Sequence, residues 1–284
     1  MGSRGARPHA RPGLSLDDIV AAALAEDLGE RGDITSELLL PPDLAATAQL
    51  RSRAAGVFAG RAPAQKVCDR LGLSAQWHRR DGEPIVAGAV VADISGPARA
   101  LLTGERTILN FAGRLSGIAS LTARFVASAG EVAILDTRKT TPGWRALEKA
   151  AVAAGGGTNH RLGLDDQVLV KDNHLALAGA SLDEAITAAR RRYPDAIVEV
   201  EADDLDAVRA GLRAGADWIL LDNMSDAQLR EAVAVVGGAA KLEASGGMSL
   251  ERIPDVAATG VDAISVGALT HSATALDLGF DIDA

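Results

Sequence analysis

The chain has 284 residues, 48% of them hydrophobic, with a formal net charge of −9 and a single cysteine. That length and apolar content allow one large or two medium domains with a sizeable core. The acidic balance excludes bulk electrostatic binding of nucleic acid, the lone Cys68 excludes an internal disulfide or a cysteine-based zinc site, and no apolar run approaches a membrane span.

Residues 1–12 carry arginines and prolines but no apolar stretch, which predicts a disordered leader and not a secretory signal; a cytoplasmic protein is expected. Over 14–28, Leu16, Ile19, Val20, Ala23 and Leu24 recur at helical spacing, with Ser15 as N-cap and Asp17 and Asp18 in the first turn. Gly29 ends that helix, residues 32–36 read as a polar turn, and Pro41-Pro42 blocks further helix. The texture over 47–95 is short strands, broken by a helix over 62–71 that puts Ala64, Val67, Cys68 and Leu71 on one face. This half reads as a separate α+β domain. Residues 98–129 are helical but interrupted by Gly104, Gly113 and Gly117. Arg99 and Arg114 read there as a solvated face, and the domain boundary falls in this stretch.

A different rhythm follows. Six short apolar runs, over 132–135, 167–170, 196–200, 218–221, 241–244 and 263–266, each lead into a polar, charged or glycine residue. The runs alternate with helices over 145–154, 181–193, 203–214, 225–236 and 249–259. Ser181 with Glu184 forms a capping-box pattern, and Asp203, Ser225 and Ser249 sit at cap positions. From Lys171 the strand-end residues recur at intervals of 30, 21, 23 and 22 (Glu201, Asp222, Ser245, Gly267), about one strand plus one helix each. This predicts an α/β barrel whose strand C-termini share one mouth. Six strands do not complete an eight-stranded barrel, so an incomplete six-stranded barrel is expected, its gap covered by the N-terminal domain or a second subunit.

The mouth should gather Arg138, Lys139, Arg161 and Lys171, with His160 and His174 alongside. Adjacent cations at the end of a buried strand are costly without an anion, and guanidinium groups grip carboxylates and phosphates in bidentate fashion. Glu201 and Asp222 can hold Mg²⁺ with a diphosphate or stabilise developing positive charge. Ser245-Gly246-Gly247 and Gly267-Ala268 follow the last two strands, where barrels commonly bind phosphate through backbone N–H groups. The residues therefore indicate a phosphorylated, multiply anionic substrate. A Schiff-base lyase using Lys139 or Lys171 and a non-enzymatic phosphate-ligand sensor remain open on these grounds.

Six ordered motifs carry a resemblance: Asp136-Thr137-Arg138-Lys139-Thr140, 159–164, Lys171-Asp172-Asn173-His174, 220–223, 243–247 and 266–272. Together they resemble the quinolinate phosphoribosyltransferase family, from about residue 24 to about 278. The resemblance implies transfer of phosphoribosyl from phosphoribosyl pyrophosphate to quinolinate, yielding nicotinate mononucleotide, CO₂ and pyrophosphate with Mg²⁺, on the de novo route to NAD. It implies an N-terminal α/β sandwich over 13–115, joined by the tail 270–284, and the open barrel over 116–269. Arg138, Arg161 and His160 would hold the quinolinate carboxylates, with Thr137 beside them. Lys139 and Lys171 would lie near the departing carboxylate and the diphosphate. Glu201 and Asp222 would face the ribose and Mg²⁺, and Ser245, Gly246, Gly247, Gly267 and Ala268 would cradle a phosphate. Arg106 would reach the neighbouring subunit's site in a homodimer.

Overall fold

A computed structural model describes residues 14–283, so the leader read over 1–12 lies outside the described residues. The first part of the chain forms α1 (Leu16–Leu28), α2 (Ile34–Leu39), β1 (Ala45–Ser52), β2 (Gly56–Val57), α3 (Arg61–Leu71), β3 (Ser74–Trp77), β4 (Pro84–Ile85) and β5 (Val90–Pro97). α4 (Ala98–Ala129) leads into β6 (Ala133–Leu135), α5 (Arg145–Ala154), β7 (Val168–Val170), α6 (Asp172–Ala178), α7 (Leu182–Arg192) and β8 (Val198–Ala202). The chain continues through α8 (Leu205–Ala214), β9 (Trp218–Asp222), α9 (Asp226–Val236), β10 (Lys241–Ser245), α10 (Ile253–Ala257), β11 (Ala263–Ser265), α11 (Ala268–His271) and β12 (Leu278–Asp283).

The N-terminal sheet runs β12-β1-β5-β3, all antiparallel. Alternation along β1 turns Ala48, Leu50 and Ser52 inward, and Ala48 and Leu50 share one core with Ile19, Val20, Val67 and Cys68 from α1 and α3. Burial pushes the Cys68 thiol up to about 12, so this sulfur is a packing group without thiolate character. The stretch read as a polar turn is instead the start of α2. Asp33 caps it, accepting from the Ser36 amide at 3.0 Å, and a six-residue helix is too short to announce itself by periodicity.

α4 is continuous across all three glycines. A helical glycine costs about 1 kcal/mol relative to alanine, and here the cost has a steric reason. A Cβ at Gly117 would collide with the Thr274 carbonyl, and one at Gly113 would stand 3.1 Å from the Leu276 carbonyl. The returning tail lies against the helix at this point, donating from the Leu276 amide to Gly113 O at 2.9 Å. α4 serves both cores: Leu101, Ile108 and Phe111 pack with the N-terminal sheet, and Ile118, Phe125 and Ala129 pack with the barrel. The boundary read at 115/116 therefore falls inside one helix. Arg99 and Arg114 are not solvated decorations. Arg99 Nε donates to the Leu40 carbonyl at 2.9 Å at the end of α2. Arg114 is half-buried and holds the carbonyls of Ala273 (2.7 Å) and Thr270 as well as Glu148.

The second sheet is six-stranded and parallel, in the order β6-β11-β10-β9-β8-β7. β6 and β7 do not pair, which leaves the barrel open. The chain itself occupies the β6 side of the gap: Thr158 bridges Leu135 in parallel, donating to Ile134 O at 2.8 Å and accepting from the Asp136 amide at 3.2 Å. The helix predicted over 145–154 matches α5. Asp204, one residue after the predicted cap, caps α8, and the helix predicted over 249–259 shortens to α10. α6, following Lys171 directly, has no buried side chain and hence no apolar face to read. Among the described residues no helix is long and apolar enough to cross a membrane.

Candidate active site

The C-terminal ends of the parallel strands frame a cavity of about 390 Å³. Its wall contains Thr137 and Lys139 after β6, Asp222 and Asn223 at the end of β9, Ser245, Gly246 and Gly247 at the end of β10, and Gly267 and Ala268 after β11. Eight of the residues expected from sequence are thus brought together. Gly246 lies at φ +94°, and a Cβ there would collide with the Asn223 side chain. Gly267 has Lys139 Cδ 3.0 Å and His271 Nε2 3.1 Å from where its Cβ would be. Gly246 requires glycine, because its left-handed backbone lies against Asn223, while at Gly267 an added Cβ would make the Lys139 and His271 side chains give by a few tenths of an ångström.

Asn223 is the one non-glycine residue at positive φ (55°) among the described residues. Its amide donates to Ser245 O at 3.0 Å, and its side chain donates to Asp222 Oδ2 at 2.8 Å. It orients the Asp222 carboxylate and ties β9 to the glycine turn. Sequence reasoning gave Asn223 no role, although the Asp-Asn pair at a strand end was a usable signal. Lys171 and Glu201 form an ion pair across the ends of β7 and β8. Neither lines the cavity.

The cationic loops lie beside this cavity. Arg138 and Lys139 are exposed and Arg161 is half-buried. Burial lowers the Arg161 pKa, and the neighbouring Arg138 charge lowers it further. Arg106 is exposed on α4 and lines a separate hollow with Arg114, Trp144 and Leu276; within one chain it does not join the mouth.

His160 departs most from expectation. Its Nδ1 accepts the Arg161 amide at 2.7 Å, and its Nε2 lies 3.2 Å from Glu199 and 3.1 Å from Glu243. Both ring nitrogens are engaged within the protein. Glu199 and Glu243 are two residues below Glu201 and Ser245 on the same strand faces, and hence point into the barrel. Burial would lower the His160 pKa, but the hydrogen bonds to Glu199 and Glu243 outweigh it and push it up to about 10. Burial pushes the Glu199 carboxyl up as well, against the hydrogen bond from His160, which lowers it. These three side chains have ligand atoms within 4.8 Å of one another and could surround a cation, but the imidazole N–H already faces both carboxylates. A charged residue in the middle of an apolar strand was the signal for Glu199 and Glu243.

Asp136 is buried between the loops. It is paired with Lys149 and accepts from the His160 amide at 2.9 Å. Asn159, with its amide turned to donate, reaches Asp136 Oδ2 at 2.6 Å. Burial pushes Asp136 up and Lys149 down, while each charge opposes the shift in the other; the His160 amide, Asn159 and the His160 carbonyl add further hydrogen bonds to the pair.

Residues 33–116 match the family described as quinolinate phosphoribosyl transferase, N-terminal domain, and residues 118–281 match its C-terminal domain. A probable nicotinate-nucleotide pyrophosphorylase [carboxylating] from Bacillus subtilis is 41% identical, with 95% of this chain and 94% of that one covered. The Mycobacterium leprae nicotinate-nucleotide pyrophosphorylase [carboxylating] is 43% identical, covering 93% and 96%. Among solved structures, the nicotinate-nucleotide pyrophosphorylase of Francisella tularensis superposes with a TM-score of 0.89 at 38% identity, covering 94% of this chain and 96% of that one.

Proposed function

This chain belongs to the quinolinate phosphoribosyltransferase family, and on that premise we propose that it transfers phosphoribosyl from phosphoribosyl pyrophosphate to quinolinate. The products are nicotinate mononucleotide, CO₂ and pyrophosphate, in de novo NAD synthesis. The observation that carries this reading is the pair of neighbouring guanidinium groups, Arg138 and Arg161, together with a glycine-walled cavity that contains Lys139 and Asp222. A ligand with two adjacent carboxylates neutralises the first feature, and a phosphorylated sugar fits the second.

The ring nitrogen attacks the anomeric carbon as pyrophosphate leaves with the bonding pair. The nitrogen becomes cationic, the adjacent carbon–carboxylate bond breaks, its electron pair stays on the ring carbon beside that cation, and a proton is taken up there. The protein's part is positioning and electrostatics. Arg138 and Arg161, the latter held by His160, bind the two carboxylates, with Thr137 alongside. Lys139 and the backbone at Ser245, Gly246, Gly247, Gly267 and Ala268 take phosphate oxygens. Lys171 and Glu201, as an ion pair, face the departing carboxylate and the ribose, where oxocarbenium charge develops. Mg²⁺ typically keeps several waters and few protein carboxylates. Asp222, in the cavity wall, fits that role, whereas Glu201 is committed to Lys171; when bound, the ion would neutralise the leaving diphosphate.

Arg106, exposed on α4, is assigned to the site of a second copy in a homodimer, and the enzyme to the cytoplasm. A Schiff-base lyase draws no support here, since Lys171 is ion-paired and Lys139 is exposed, and such a lysine needs a dry pocket. The test is a product assay with phosphoribosyl pyrophosphate and Mg²⁺, offering quinolinate and nicotinate in parallel. Nicotinate mononucleotide from quinolinate alone, with one CO₂ per turnover, is expected; product from nicotinate alone would overturn the reading.

A further inference from the structure

Three charged residues of α5 touch no expected ligand, yet all face the loops that carry the ligand-binding cations. Arg145, Glu148 and Lys149 fall at i, i+3 and i+4, one face of the helix. Arg145 spreads its guanidinium over both loops. Nε donates to Thr140 Oγ1 at 3.0 Å, Nη1 to Leu162 O at 3.2 Å and Nη2 to Arg138 O at 3.5 Å. Glu148, fully buried, accepts from the Thr141 amide at 3.0 Å, from Thr141 Oγ1 at 2.9 Å and from Arg114 at 3.0 Å. Lys149, also buried, pairs with Asp136 at the root of one loop and donates to the His160 carbonyl at 2.9 Å in the other.

Two buried charges in a ten-residue helix are a poor way to gain stability, because well-packed apolar side chains of similar volume often do as well or better. What they do provide is fixed geometry. The loops bear neighbouring guanidinium groups of like charge; they touch directly at their roots, where Asp136 accepts from the His160 amide and from Asn159, and farther out, at Arg138 and Leu162, it is Arg145 that joins them. We propose that Arg145, Glu148 and Lys149 are positioning residues that set the separation of Arg138 and Arg161, and thereby the selectivity of the site for a ring with two adjacent carboxylates over a ring with one. The inference rests on the substrate reading given above, and its test separates the two.

Quinolinate and nicotinate binding are measured by titration, and steady-state constants for quinolinate and phosphoribosyl pyrophosphate are measured in parallel. The proteins are wild type, Arg145→Ala, Arg145→Lys and the double variant Asp136→Asn/Lys149→Met, which removes the buried pair without leaving one charge unmatched. Arg145→Ala should raise the quinolinate KM and Kd about tenfold or more while the phosphoribosyl pyrophosphate KM stays within about twofold, and the preference for quinolinate over nicotinate should shrink. Arg145→Lys should not rescue, because one ammonium cannot reproduce the three-way fork. The double variant should fold and show the same selective loss. Folded variants with unchanged quinolinate binding, or with equal losses for both substrates, would overturn the inference. Wild-type protein that binds quinolinate without converting it would overturn the substrate reading and leave the binding comparison to judge the inference. Wild-type protein that binds no quinolinate would remove both.

Discussion

The two sides of the mouth are built by opposite means. The cationic side is held by buried charges: Asp136 with Lys149, Glu148 with Arg114, and His160 between Glu199 and Glu243. The glycine side is held by the absence of side chains, with Gly246 and Gly267 in close contact and Asn223 in a left-handed conformation. The difference follows from what each side grips. Side-chain cations are long and mobile and must be anchored to meet a rigid planar acid. Backbone N–H groups are already fixed, and they need only room for a phosphate to approach.

The comparison breaks hardest at Lys149. Lys149→Met alone leaves Asp136 buried without its partner and should cost about 3–5 kcal/mol in urea unfolding; a loss under about 1 kcal/mol would show that the pair anchors nothing. Next in size, Arg138→Ala or Arg161→Ala should cost about 1.5–3 kcal/mol of quinolinate binding, the worth of charged hydrogen bonds, with little change for phosphoribosyl pyrophosphate. Equal losses by titration would erase the distinction between the sides. Gly246→Ala should act on the other side. Positive φ and collision with Asn223 should cost about 1–3 kcal/mol of stability and weaken phosphoribosyl pyrophosphate selectively; unchanged KM values for both substrates would argue against a phosphate at this turn.

The gentlest probe is pH. His160 has a folded pKa of about 10 against an ordinary 6.5, so the cluster takes up a proton on folding, whichever atom holds it. Its contribution is fully present below about pH 6.5 and is lost as pH rises toward about 10. Stability should fall over that window by at most about 1.4 kcal/mol per pH unit, one proton's worth. In Glu199→Gln/Glu243→Gln the slope should flatten; an unaltered slope would place the linked proton elsewhere.

The mouth itself is legible in the sequence, because each strand's last residue is also where the charge or glycine appears. Thr137, Lys139, Asp222, Ser245 and Gly267 all meet around one cavity. The supports are not legible in the same way. Arg114 looks like any surface arginine until Glu148, 34 residues later, and the carbonyls at 270 and 273 come into contact with it. Glycine in α4 reads as an interruption because the segment that needs the space arrives more than 150 residues downstream. His160 reads as a ligand because only the fold reveals the two carboxylates beneath it. Local patterns report which face of an element is apolar; they do not report which distant groups will be brought together.

The edge strand β12 has a consequence for the order of assembly. Residues 278–283 pair with most of β1, from Thr47↔Asp283 to Ser52↔Leu278, so the first sheet to be synthesised waits for a strand that follows the whole barrel. During translation, at roughly 5–20 residues per second, β1 must spend at least ten seconds or so with one edge unpaired while the barrel segments emerge. The nascent protein is thus most open to mispairing at its earliest strand, and truncation at the far end of the chain should first be felt at the beginning.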